Sequence, residues 1–265
     1  MTFDAHPAWR LWLRWLRPGS GVSGGERFSV LSFREAPGPL LAVAGLSGGA
    51  GASVLAYLIA VTAARESSAP VLVTDTGGPT GGLASHAGIS SPRTLADIAQ
   101  QLAACEPLTG GLWAEGEHGL RVLASAPQFT VDGDRDAILR ILADARQAHG
   151  LTVADVGTLA RAAERTALTA ATHVAWVLPA SEDGLARAHR VLERIAPLSR
   201  PEILIARADP TVRDAPVTGL ADLADSRRAP LVLMPALGRI SHEGSDALLE
   251  RAQVALQAIG GALRR

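Results

Sequence analysis

"GLSGGAGAS" (Gly45–Ser53) joins the apolar run "LLAVAGL" (40–46) to a second apolar stretch that starts at Ser53. Glycine-rich turns between a strand and a helix point backbone N–H groups inward, beside the positive end of the helix dipole. Such a turn suits an anion, phosphate above all. The common sequence form is G-x-x-x-x-G-K-[ST]. Aligned on Gly51 and Ser53, this stretch has Ala52 where the lysine belongs and Leu46 where the first glycine belongs. The terminal hydroxyl is present and the charge is not. The turn therefore has either a reduced phosphate chemistry or a purely structural role.

The surrounding pattern decides the fold. Short apolar runs of strand length alternate with helical periodicity. Strands are predicted at 40–46, 70–76, 119–126, 151–157, 173–180, 202–208 and 230–236. Helices are predicted at 53–65, near 94–104, at 134–149, after 157, and at 182–197, 217–227 and 244–264. In 134–149, Ile138, Ile141, Leu142 and Ala145 share one face. Alternation of this kind implies an α/β fold, a doubly wound, mainly parallel sheet with helices on both faces. No internal repeat or low-complexity tract interrupts it.

Totals limit the function classes. With 265 residues and 48% apolar content the chain suffices for one well-buried α/β domain. A net charge of −1 gives no long-range pull toward nucleic acid, so nucleic acid is an unlikely partner. The single cysteine, Cys105, excludes an intramolecular disulfide framework and Cys-x-x-Cys metal clusters. A reducing, cytoplasmic setting is expected, with no signal peptide and no apolar run long enough to span a membrane. Lysine and asparagine are both absent, which points to a GC-rich bacterial coding sequence. A surface lysine exchanges readily for arginine. A phosphate-loop lysine does not, because it is a compact point charge and arginine a planar fork.

Read as "SGGAGAS" (47–53), the glycine stretch resembles the K-G-G-x-G-K-[ST] loop of the ParA/MinD family of deviant P-loop ATPases. The rest of the chain agrees in order and spacing over about 39–260. "VLVTDTGGP" (71–79) matches the family's strand ending in D-x-D, with Asp75 in the first place and Gly77 in the second. "LTVADVGTL" (151–159) matches the next acidic motif, with Asp155 and Gly157. "ATHVAWVLPA" (171–180), "EILIARAD" (202–209) and "LVLMPAL" (231–237) echo the three strands that follow. The D-x-G form looks most like the TadZ/CpaE branch, associated with pilus and secretion apparatus.

The resemblance implies ATP and Mg²⁺ as ligands. The cradle would be Gly48, Gly49, Ala50, Gly51, Ala52 and Ser53. Mg²⁺ and its waters would fall to Ser53, Asp75 and Asp155. Four departures weaken the site. Ser47 replaces the signature lysine that reaches across the family's dimer, and Ala52 the loop lysine. Gly77 replaces the second acid, and Ala206 the asparagine that reads adenine. Phosphoryl transfer relies on positioning and charge neutralisation. Losing such a clamp costs roughly 10²–10³ in rate. Arg207 and Arg239, near strand C-termini, are the candidate substitutes.

Residues 1–38 read as a separate appendage, and 39–265 as the family-like domain. "AWRLWLRWLR" (8–17) places Trp9, Trp12, Leu13 and Leu16 on one helical face; Trp15 and Leu11 widen it, and Arg10, Arg14 and Arg17 oppose it. Tryptophan with arginine suits a membrane surface, a partner protein or the chain's own core. Other candidates have plain readings. Asp75 and Asp155 can also cap neighbouring turns. His86 reads as a surface loop residue, Cys105 as a packed thiol, and "VDGDRDA" (131–137) as a solvated helix start.

Together these readings lead to a ParA/MinD-like pseudo-ATPase. It would act as a scaffold or localisation factor for a membrane-associated secretion, conjugation or pilus machine, held peripherally at the inner face of the cytoplasmic membrane. The opposing reading is an active atypical ATPase with nucleotide-switched homodimerisation in positioning or partition.

Overall fold

Every strand expected from the alternation is present and carries apolar residues on both faces. The computed structural model describes residues 37–76, 82–90, 94–103, 113–125, 135–208, 216–237, 240 and 244–263. The tryptophan segment, Gly77, Cys105, residues 131–134 and Arg239 lie outside the described residues.

In chain order the elements are β1 (Leu40–Gly45), α1 (Ala52–Glu66), β2 (Val71–Asp75), α2 (Gly82–His86), α3 (Leu95–Ala103), β3 (Ala114–Glu115), β4 (Arg121–Leu123) and α4 (Arg135–Ala148). They continue with β5 (Leu151–Asp155), α5 (Ala162–Ala170), β6 (His173–Pro179), α6 (Glu182–Leu192), β7 (Glu202–Arg207), α7 (Val217–Arg227), β8 (Leu231–Met234) and α8 (Ser245–Leu263). The eight strands form one sheet in the order β3-β4-β2-β5-β1-β6-β7-β8. All pairings are parallel except β3 with β4.

Period-two alternation sorts the strand residues between the two faces of the sheet. Leu41, Val43, Val73, Val153, Ala175, Val177 and Ile205 face α1 and α8. Leu40, Ala42, Ala44, Ala154, Val174, Trp176 and Leu204 face the opposite helical layer, including α5, α6 and α7. Burial on both faces explains why the strands read as continuous apolar runs. At β1 the chain order reverses direction across the sheet, and the crevice at such a switch point lies at the strand C-termini. The glycine turn, Asp75, Asp155 and Arg207 all follow or end strands at that edge.

Several boundaries differ from expectation. The helix predicted to run to 197 ends at Leu192. Pro197 disfavours helix at the residue before it. The Arg227 guanidinium donates to the carbonyls of Leu192, Ile195 and Ala196, which a further helical turn would otherwise engage. The strand predicted over 119–126 is confined to Arg121–Leu123, because its partner β2 offers only Leu72–Thr74. His86 is not a surface loop residue: it ends α2, half-buried, with its ring 6.1 Å from that of Tyr57. The two-residue β3 and the short α2 carry too few residues for a periodicity to register.

His149 shows how the sheet edge is closed. It is fully buried after α4. The Nδ1 nitrogen lies 2.7 Å from the Ala145 carbonyl and Nε2 3.2 Å from Arg121 Nη1. That pairing needs the neutral ring with its proton on Nδ1, which donates to the carbonyl while Nε2 accepts. Burial, with the Arg121 charge adding to it, lowers the His149 pKa below 6.5. A depressed histidine pKa means that the unfolded chain takes up its proton first. Stability is therefore full above about pH 6.5 and falls as pH drops through that value. Chemical denaturation at pH 7.5 and 5.5 will show the loss, and His149→Gln will flatten it. An unchanged slope in the variant would contradict this assignment.

Candidate functional site

The glycine turn starts where β1 ends. Gly45 N–H donates to the Gly157 carbonyl (2.7 Å) and Leu46 N–H to that of Val177 (2.8 Å), which anchors the turn to the ends of β5 and β6. Gly49 (φ 74°) and Gly51 (φ 88°) adopt left-handed backbone that side-chain-bearing residues avoid. A Cβ added to Gly48 or Gly49 would meet nothing within 4 Å, so this face of the turn is open. Gly51 provides no side-chain cap for α1, leaving the helix's first N–H groups available to a ligand. The turn is a cradle in shape.

Two carboxylates stand at the adjoining strand ends. Asp75 and Asp155 are register partners on β2 and β5, each only 3% exposed. The Ser53 hydroxyl lies near enough to the Asp155 carboxylate to favour its charged form. Gly157 N–H donates to Asp155 Oδ1 at 3.1 Å. Burial first, and the Asp75 charge second, push the Asp155 pKa up from 3.8 to about 6, against the pull of Ser53 and the Gly157 bond. Glu164 adds a smaller push in the same direction. It is itself buried at the start of α5, where it accepts from Arg161 N–H at 3.2 Å.

The structure thus brings Ser53, Asp75 and Asp155 into one cluster beside Gly48, Gly49, Ala50 and Gly51. Two carboxylates and a hydroxyl are hard oxygen donors that fit Mg²⁺, an ion that keeps several waters and is completed by phosphate oxygens. Among the described residues no group of three or more His, Cys, Asp or Glu can hold a metal ion. Mg²⁺ here would depend on Ser53 and the ligand's own oxygens as well as on the two aspartates.

The positions where the resembled loop carries lysine are also described. Ala52 is the first residue of α1 and is 9% exposed, while Ser47 is half-buried. Ala206 is fully buried in the core facing α6 and α7, where an asparagine would lack an open path to a base. Arg207, the last residue of β7, reaches across to the turn, where its Nη2 donates to the Gly49 carbonyl at 3.0 Å.

One feature was missed at the sequence level. A groove of about 740 Å³ opens beside Ser47 and Gly48, between α5 and α6. Arg165, Arg187, Arg190 and Arg194 line it, with Leu168, Val191 and Ile195 beneath. The 3-to-4-residue spacing of Arg187, Arg190 and Arg194 was the available signal.

No family model matches the chain, and no curated protein matches it. Solved structures do. A ParA family ATPase from Chlorobium tepidum is 17% identical with a TM-score of 0.70, covering 86% of this chain and 98% of its own. The cell division ATPase MinD of Pyrococcus furiosus is 14% identical with a TM-score of 0.66, covering 84% and 99%. Cobyrinic acid a,c-diamide synthase from Mycobacterium smegmatis, solved with ADP and magnesium, is 18% identical with a TM-score of 0.57, covering 84% and 95%.

Proposed function

From a chain with the ParA/MinD-type fold, we propose a nucleotide-binding scaffold or localisation factor whose hydrolysis is lost or very weak. One observation carries this reading. The buried Asp75 and Asp155 and the half-buried Ser53 cluster beside an open glycine turn, while Ser47 and Ala52 bring no lysine to it. Ser53 and the two aspartates would hold Mg²⁺, which supplies charge neutralisation to phosphate oxygens. The N–H groups of the turn would orient the phosphates. Nothing in the cluster supplies the two lysine charges that the developing transition state needs, so binding outlasts chemistry.

Partner proteins would then read the bound state. The groove beside Ser47 suits this: it has an apolar floor, an arginine rim and direct contact with the loop. A membrane-associated apparatus of secretion, conjugation or pilus type is the setting we favour, in the manner of the TadZ/CpaE branch. Residues 8–17 would supply the membrane or partner contact. No helix among the described residues is long and apolar enough to cross a membrane.

Isothermal titration with ATP and Mg²⁺ tests the reading, repeated with Ser53→Ala and Asp155→Ala. The expected result is micromolar-range binding lost in both variants, with phosphate release indistinguishable from buffer. No heat up to millimolar ATP would overturn the nucleotide part. Steady phosphate release together with an ATP-dependent shift from monomer to dimer would replace the scaffold with a working nucleotide switch.

A further inference from the structure

The guanidinium of Arg207 lies against the glycine turn although β6 separates its strand from β1. Its Nη2 bonds the Gly49 carbonyl at 3.0 Å. A Cβ built on Gly51 would stand 2.6 Å from Nη1, so the guanidinium tip lies directly over this part of the turn. Glycine at 51 is required by its left-handed φ, and the tip of an arginine from another strand packs directly against it. The position where such loops carry their cation is empty of charge: Ala52 begins α1.

We propose that Arg207 is the cation of this phosphate cradle, binding the phosphates of a nucleoside polyphosphate in place of the lysine that position 52 lacks. The proposal rests on the nucleotide reading above. Guanidinium has five N–H donors in a fixed fork, and a phosphate accepts two of them at once. A bond to a neutral carbonyl is weaker than one to a charged oxygen. An incoming phosphate would thus take over the donors now spent on Gly49. Because the arginine is carried by a sheet strand rather than by the loop, its position is set by the β6–β7 ladder. It is a binding and positioning residue.

The test compares Mg·ATP binding by titration calorimetry in four proteins: wild type, Arg207→Ala, Ala52→Lys and the double variant. Unliganded melting curves serve as the folding control, and Arg207→Ala should melt like wild type. Charged hydrogen bonds of this kind correspond to a loss of roughly 10–100-fold in affinity in Arg207→Ala. Ala52→Lys in that background should restore most of the loss, because the cation returns by the other route. Equal affinity of wild type and Arg207→Ala would overturn the proposal while leaving nucleotide binding intact. A double variant as weak as Arg207→Ala would overturn it too, by showing that the loss does not follow charge. A silent wild type would remove the nucleotide reading itself, and the role of Arg207 with it.

Discussion

Glu202→Ala will lower stability by about 3–5 kcal/mol, the usual cost of stranding one member of a buried ion pair. For a domain of this size that corresponds to a fall in melting temperature of roughly 10 °C or more. Glu202 opens β7 and is 4% exposed. Its carboxylate accepts from Arg227 Nη2 (2.7 Å) and Nε (3.0 Å), from Trp176 Nε1 (2.5 Å) and from Leu198 N–H (2.6 Å). Arg227, 6% exposed, also closes the end of α6 through the carbonyls of Leu192, Ile195 and Ala196. One carboxylate thus ties β6, β7, α7 and the α6–β7 connection together. Alanine leaves a guanidinium and an indole N–H in the core without their acceptor. The damage is to the pairing and not to the burial, so Glu202→Leu with Arg227→Met should recover much of the loss. Thermal melts of wild type and the two variants decide it. An unchanged melt for Glu202→Ala would mean that solvent already reaches this cluster.

The cluster also marks what the sequence could and could not disclose. The strands were legible because a sheet buried on both faces demands unbroken apolar runs, and "LLAVAGL" or "HVAWVLPA" have no competing reading. Asp75 and Asp155 were legible because a strand of that kind ends in a charge only for a reason. The Glu202–Arg227 pair was not, since each lies at an ordinary helix or strand boundary and only the fold brings residues 25 apart together. Arg207 was visible as an arginine at the functional edge, but its reach over β6 to Gly49 is tertiary geometry. Likewise Glu164, which helps raise Asp155, sits in an unremarkable amphipathic helix. Local pattern tells which strand ends carry charge. It does not tell which charges meet.

Asp155→Asn separates fold from function in the opposite direction to Glu202→Ala. In the ligand-free protein it should be stabilising, and for Mg²⁺-dependent nucleotide binding it should be fatal. Asp155 has its pKa raised from 3.8 to about 6, first by burial and then by Asp75. With a raised carboxyl pKa the folded state holds the proton more tightly than the unfolded state does. Below about pH 4 both states are protonated and nothing is lost. Between about pH 4 and 6 the folded protein loses stability as pH rises, and above 6 the full penalty stands. Two pKa units correspond to about 3 kcal/mol, an upper range for the gain on substitution. Asparagine keeps an oxygen for the Gly157 N–H bond but carries no charge to repel Asp75. The comparison is best made as wild type minus variant across pH 4–8, since His149 and the other histidines then cancel. A difference that grows up to pH 6 and then levels off is the expected shape. A flat difference would mean that Asp155 is already neutralised by its surroundings, and the cluster would lose its claim to be waiting for a cation. The same substitution removes one of the two anionic oxygen ligands available to Mg²⁺, so a more stable protein that no longer binds Mg·ATP is the joint signature. Carboxylates retained at a cost to the fold are expected where a cation repays the repulsion. That is the physical difference between a working cradle and a turn that has kept only its glycines.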